Sequence, residues 1–256
     1  MFENLWLIPL GFVAGIVGSI IGLGGGIIIV PVLSFLGVAP TIASSSSLFA
    51  AFSNSVASTA SYAKQKRIDY KIGLKLGLMS IPGTILGAFI SAEVTPTLFK
   101  ILFGFVLIGA CFYLFIKRNM EQKQNNISKQ MAVASAAISF FAGILSSFFG
   151  IGGGIIFVPL MIVGLGLLVK NATATSQLIL LFSSASGMTA HSFLGHSDYS
   201  YALLLSIGAF GGGLVGARLS LDLKENSIRI LITVVIAATA IKLFLDGAGI
   251  WTSNVG

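Results

Sequence analysis

The residues with chemistry to offer in this chain are few, and the most telling of them occur twice. Gly22-Leu23-Gly24-Gly25-Gly26, running into Ile27-Ile28-Ile29-Val30-Pro31, returns as Gly150-Ile151-Gly152-Gly153-Gly154, running into Ile155-Ile156-Phe157-Val158-Pro159. Glycine backbone that leaves a helix exposes N–H groups, and a helix starting just after it presents the positive end of its dipole. Together these make an anion site that needs no buried cation. Gly24, Gly25, Gly26, Gly152, Gly153 and Gly154 are therefore the first candidates for anion binding. Hydroxyl-rich stretches follow each tract: Ser44 to Ser47, Ser53, Asn54 and Ser55 in one half, and Thr173, Thr175, Ser176, Gln177, Ser183 and Ser184 in the other. Ser46, Asn54, Thr175 and Ser176 are selected from these, with Ser46 and Ser176 read as matching positions. Each hydroxyl could equally cap a helix or bond between helices.

Ionisable groups add little. His191 lies deep in an apolar run, where a neutral imidazole could relay protons or simply pack. Arg218 follows the glycine run Gly211 to Gly216 and could stand at a vestibule that attracts anions. Lys75, Lys100, Arg229 and Lys242 lie near segment ends, where long side chains snorkel. Asp69 and Asp198 sit in loops and read as helix caps. Ser186 and His191 do not make a hydrolase, because Ser183-Ser184-Ala185-Ser186-Gly187 lacks the glycine that a nucleophile turn requires. No catalytic residue, metal site or cofactor is expected. Cys111 is the single cysteine, which excludes a disulfide within the chain, and its expected role is packing.

The elements that must position these residues are membrane helices. Charged residues make up 9% of the chain and hydrophobic ones 55%, a balance that fits a polytopic all-α membrane protein and no ordinary soluble domain. The net charge of +7 does not point to nucleic acid. It gathers in short loops, Lys64 to Lys71 and Lys117 to Lys129, which read as cytoplasmic. The start, Met1 to Trp6, lacks the basic region of a cleaved signal, so the first segment is expected to be retained. Apolar segments run from about Trp6 to Gly37, Ile42 to Ala63, Ile72 to Ala92, Leu98 to Ile116, Met131 to Leu168, Ala172 to Phe193, Tyr199 to Ala217 and Ser227 to Leu245. Every Trp and Tyr falls near a segment end, as expected of rings at the headgroup level.

The chain reads as two repeats, 1–116 and 131–256, joined by a basic linker, 117–130. Gly15, Gly22, Gly24 to Gly26 and Pro31 match Gly143, Gly150, Gly152 to Gly154 and Pro159 at an offset of 128, and Asp69-Tyr70, Gly87 and Lys100 match Asp198-Tyr199, Gly216 and Arg229 at 129. A straight helix through each Gly-broken segment would be roughly 48 Å long, too long for one crossing. A hairpin fits better, and it places every Lys and Arg except Lys100 and Lys242 on one side. Each repeat then has a Gly-broken hairpin and three spans, and the repeats are inverted. The alternative is eight conventional spans with parallel repeats.

The duplicated Gly tract running into Val-Pro, with Ser45-Ser46 and Thr175-Ser176 opening the next segment of each half, resembles the TauE/SafE family of membrane transporters from about Pro9 to Leu245. The resemblance implies a secondary carrier for a small sulfur-containing anion such as sulfite or an organosulfonate. The expected setting is a prokaryotic plasma membrane, with a coupling proton or sodium and possible homo-oligomers. A passive anion channel is the alternative that glycine tips also permit.

Overall fold

A computed structural model describes residues 4–116, 129–224, 226–228, 230–231, 233–234, 237–238 and 241, and it describes side chains outside 107 and 110–133. Residues 117–128 of the linker and the last segment beyond 241 lie outside these residues, as do the side chains of Cys111 and Tyr113 and all of Lys242 and Trp251. Among the described residues all regular structure is helical. The elements are α1 (Leu7–Ile21), α2 (Gly26–Phe35), α3 (Pro40–Lys64), α4 (Tyr70–Ser91), α5 (Pro96–Ile116), α6 (Lys129–Phe149), α7 (Gly154–Pro159, continued by a π-helical turn, Leu160–Gly164), α8 (Val169–Phe193) and α9 (Tyr199–Leu219). Helical backbone recurs between 226 and 241.

The two Gly tracts break the helices as their spacing predicts, and the structure explains that spacing. Gly22, Gly24 and Gly25 all have positive φ (78°, 74° and 84°), as do Gly150, Gly152 and Gly153 (70°, 79° and 84°), whereas Leu23 and Ile151 do not. A side chain is therefore tolerated only at the second position of Gly-x-Gly-Gly. The first glycine of each tract ends its helix in a Schellman turn, with Leu23 N–H donating to Gly18 O at 2.9 Å and Ile151 N–H to Ser146 O at 3.1 Å. Beyond the first turn the chain folds back. Gly25 lies against Ala14 of α1, and Ile29 and Leu33 share an apolar cluster with Leu7 and Ala14.

The centre of the molecule is polar and its surface apolar. α3 and α8 pack on each other, α9 covers α3, α4 covers α8, α1 lies on α9 and α6 on α4. Ser44 to Ser47, Asn54, Ser55 and Ser58 of α3 are buried, as are Thr173, Thr175, Ser176, Gln177, Ser183 and Ser184 of α8. Meanwhile Leu74, Leu78, Phe89 and Ile90 of α4 and Leu203, Ile207 and Phe210 of α9 are exposed. Water rewards the reverse arrangement, whereas hydrocarbon rewards this one. By length and composition α4 (22 residues) and α9 (21 residues) can each cross a bilayer.

α3 and α8 run antiparallel. Ser45 Oγ, near the start of α3, is 2.6 Å from Ser197 Oγ, just beyond α8. Arg67 Nη2, just beyond α3, donates to Lys170 O at the start of α8 at 2.9 Å. Lys64, Lys66, Arg67, Lys71, Lys170, Arg218 and Lys224 consequently gather at one end of the molecule.

The outer seams are glycine against carbonyl. Gly208, Gly212 and Gly216 of α9 press on the backbone carbonyls of Ile8, Phe12 and Ile16 in α1, and Gly83 and Gly87 of α4 press on those of Phe140 and Ile144 in α6. A Cβ at any of these glycines would meet backbone, so the missing side chains set the interhelical distance. Asp69 and Asp198 cap α4 and α9, accepting from Ile72 N–H at 3.0 Å and Ser200 N–H at 2.9 Å. Tyr62 lies near the end of α3, as the ring pattern suggests, but its ring faces inward. It is fully buried, and its hydroxyl donates to Ser19 O at 2.8 Å, a second bond to a carbonyl in the last turn of α1 that also accepts the Gly22 N–H.

Candidate functional site

The two glycine turns meet in the interior. Gly26 lies against Gly150 and Ile151 of the other turn, Gly154 lies against Gly22 and Leu23, and the space that side chains would need at Gly24 and Gly152 is taken by Leu180 and Ala51. The last glycine of each tract, which has no positive φ, is thus required for close approach. Each turn is tied to the opposite half by a serine: Ser176 Oγ donates to Gly22 O at 2.6 Å, and Ser47 Oγ donates to Gly150 O at 2.7 Å.

All six candidate glycines come together here. Gly25 and Gly153, which precede α2 and α7, supply no side-chain cap. The N–H groups of Gly26, Ile27, Gly154 and Ile155 find no acceptor among the described residues. Several side-chain atoms of the surrounding helices are likewise buried without a partner among those residues: Ser46 Oγ, Asn54 Nδ2, Ser146 Oγ, Ser147 Oγ and Gln177 Oε1. Gln177 Nε2 meanwhile donates to Gly18 O at 2.9 Å. Buried polar atoms without partners are uncommon in folded proteins and mark places where a polar guest would be welcome.

The hydroxyl candidates separate. Ser176 holds the first turn and Thr175 does not face it, since Thr175 Oγ1 accepts from Asp69 N–H at 2.9 Å and ties the α3–α4 loop. The counterpart of Ser176 is Ser47, not Ser46, because these two make the same bond to the opposite turn, at the offset of 129 that also relates the two aspartates. Arg218 is exposed in the last turn of α9 at the basic end. Among the described residues no three His, Cys, Asp or Glu side chains converge on a point where a metal could sit.

Reading missed a pair of end clusters that the same offset makes equivalent. At the basic end, the Schellman turn after α3 carries Arg67 N–H to Tyr62 O at 3.2 Å and sets the guanidinium 4.8 Å from the Tyr62 ring centroid. Arg67 also donates to Gln65 Oε1 at 2.9 Å, Ser220 Oγ at 2.8 Å and Lys170 O at 2.9 Å. At the other end, the turn after α8 carries His196 N–H to His191 O at 3.0 Å. This brings the two imidazoles to 5.3 Å between centroids and their Nδ1 atoms to 3.2 Å. His191 Nε2 reaches Ser147 O at 3.1 Å, as Tyr62 reaches Ser19 O. His191 is therefore buried near the end of its helix, on a carbonyl three residues before the second glycine turn. Burial also lowers the half-covered His196 imidazole below its ordinary pKa. Gly195, at φ 73° and four residues beyond His191, was the available signal for this turn.

Apolar helices of bilayer length around a polar interior, with backbone broken where the halves meet, define a polytopic helical membrane protein of the transporter class. The family described as Sulfite exporter TauE/SafE matches residues 7–243. The chain belongs to the TauE/SafE family and is a membrane transporter, not an enzyme. It is 34% identical to the probable membrane transporter protein YunE of Bacillus subtilis, over 94% of this chain and 97% of that one. It is 27% identical to a probable membrane transporter protein of Methanocaldococcus jannaschii, covering 95% and 98% of the two chains. With the probable membrane transporter protein YfcA of Escherichia coli K12 it shares 26% identity, over 92% and 87%. No solved structure matches the chain.

Proposed function

We propose that this transporter is a secondary carrier that moves a small anion, a sulfur-containing one such as sulfite or an organosulfonate, across a prokaryotic plasma membrane. The supporting observation is the meeting of two uncapped helix starts inside a polar core. The N–H groups of Gly26, Ile27, Gly154 and Ile155 are left without acceptors among the described residues. An anion supplies acceptors and no donors, so it answers that deficit. The sulfur in the substrate rests on the family's name. In this reading Gly24 to Gly26 and Gly152 to Gly154 frame the site, the halves are inverted repeats, and the basic end faces the cytoplasm. The antiparallel α3 and α8 and the gathering of Lys170 and Lys224 with Lys64 and Arg67 agree with that arrangement.

The test is flux in proteoliposomes with sulfite, methanesulfonate and a carboxylate control. A carrier gives saturable uptake accelerated by substrate on the far side, whereas conductance that does not saturate would establish a channel instead. Folded Gly24→Val and Gly152→Val variants should lose uptake and lose stabilisation by methanesulfonate against heat. Unchanged stabilisation in both would reduce the glycine turns to packing.

A further inference from the structure

We propose that His191 and His196 form a single proton-binding site, opening at the end opposite the basic cluster, through which a proton on that side enters the transport cycle. The inference rests on the carrier reading above but not on the identity of the anion.

The tautomers follow from the partners. Ser147 O only accepts, so Nε2 of His191 carries a hydrogen, and Nδ1 of the neutral ring is then an acceptor. The atom facing it at 3.2 Å is Nδ1 of His196, which must therefore be the donor. The neutral pair is a directed chain from the half-exposed His196 to the buried His191 to a carbonyl in the last turn of α6. A proton arriving at Nε2 of His196 makes that ring an imidazolium. Its Nδ1 proton can then pass to Nδ1 of His191, leaving His196 neutral with hydrogen on Nε2 and His191 charged with hydrogen on both nitrogens. The pair gains one proton and one positive charge, and no covalent bond other than N–H changes.

The surroundings offer that charge one favourable contact, against the cost of burying it, and compete little for it. The Ser147 carbonyl belongs to the negative end of the α6 dipole, which favours a cation beside it. The packed elements bring mainly hydroxyls: Ser147 from α6, Ser45 from α3, and Ser192 and Ser197 around the turn, where Ser197 Oγ is 2.6 Å from Ser45 Oγ and 3.2 Å from Ser192 Oγ. The ionisable neighbours are Asp198 and Tyr199 at the start of α9. Asp198 already accepts the Ser200 N–H, and the Tyr199 ring lies edge-on to Phe49 at 6.0 Å. The site also ends close to the candidate anion site. Ser147, whose carbonyl receives the imidazole, stands three residues before Gly150, so a proton held there adds positive charge beside the second glycine turn.

The equivalent position in the first half sharpens the assignment. Tyr62 and Arg67 occupy the same places with the same carbonyl bond and the same ring contact, yet neither changes charge in the physiological range. The fold needs a donor to that carbonyl and does not need a titrating one.

The chain has two histidines, so selective ¹⁵N-histidine labelling of the full protein, carried on a tag without histidine and reconstituted in lipid, gives a spectrum of this pair alone. The two rings should titrate as a coupled pair, and His196→Gln should move the His191 titration by about one pH unit, a tenfold change in proton affinity. Independent single-step titrations, indifferent to replacement of the other ring, would overturn the proposal. His191→Tyr copies the first half and keeps a donor for Ser147 if His191→Gln fails to fold. In proteoliposomes, acid on the face of the pair should accelerate uptake of methanesulfonate, an anion across the whole range, several-fold in the parent but not in His191→Tyr or His196→Gln. An acid response retained by both variants would remove the pair from the cycle. If the parent moves no methanesulfonate at all, the anion reading fails, and the spectrum still decides the proton site.

Discussion

The two ends of the central helix pair are built to one plan and finished with different chemistry. Each end has a Schellman turn that lays the first residue after the turn over a ring three residues inside the helix, and each ring donates to a carbonyl one turn before a glycine break. At the basic end these residues are Arg67 and Tyr62. At the other they are His196 and His191. Arg67 adds three hydrogen bonds that join α3, α8 and α9, whereas His196 touches its partner ring, and closure there depends also on the serine contacts of Ser197. Repeated backbone thus fixes where the clamps are, and the side chains decide which clamp responds to its surroundings. A permanent cation resists changes of pH that an imidazole pair cannot ignore.

The comparison breaks most completely if the ends are not on opposite faces. With Cys111 replaced, cysteines at the exposed positions Ser200 and Asp222 should differ in an all-or-none way. An impermeant thiol reagent applied to intact cells should label Ser200→Cys and spare Asp222→Cys, and labelling of both or the reverse pattern would undo the orientation. Next in size, Arg67→Ala should cost about 2–4 kcal/mol of unfolding free energy, since hydrogen bonds from a charged group contribute about 1.5–3 kcal/mol. His196→Ala should cost only about 1 kcal/mol at pH 7.5. The two should also differ in their response to acid. Burial lowers the folded pKa of His196 below its unfolded value of about 6.5. The unfolded chain therefore binds the proton first, and the stability this residue contributes is present above that pH and declines as the pH falls towards the folded pKa. His196→Ala should remove that decline and Arg67→Ala should leave it, both read from denaturation in detergent across pH. Smallest is the turn itself. Lys66 is the one non-glycine residue with positive φ among the described residues, at 55°, where the other end has Gly195 at 73°. Lys66→Gly should stabilise by about 0.5–1 kcal/mol, the strain it relieves being partly offset by the looser unfolded chain. No gain would mean that the left-handed turn carries no strain.

Much of this was legible in the residues because glycine and proline report on backbone directly. Gly-x-Gly-Gly announced two breaks, and the offsets of 128 and 129 carried the pairing of elements. The seam glycines, Gly83 and Gly87 against Gly212 and Gly216, could be seen at their spacing. The misreadings have a common physical origin. Within Ser44 to Ser47 four identical side chains hide the helical phase, so Ser46 looked like the match for Ser176 when the register makes it Ser47. Thr175, one residue before Ser176, points about 100° away around the helix and meets Asp69 instead of the turn. Tyr62 fitted a belt pattern because position along a span was visible and direction around it was not. Arg67 and His196 lay past the helix ends, where only the left-handed residue before each brings it back onto its ring, and Lys66 gives no sign of such a turn.

The seams have a consequence for how the protein is made. α1 leaves the ribosome first, yet the helix whose glycines receive its carbonyls is α9, near the far end of the chain, and α3 packs on α8 and α9. A nascent chain halted in the 117–130 linker has α1 to α5 made, with α1 lacking α9, α3 lacking both α8 and α9, and α4 lacking α6 and α8. Such an intermediate must be sheltered by the insertion machinery or degraded. Two separately expressed halves should each be short-lived and should rescue one another when made together, because each is the missing lining of the other.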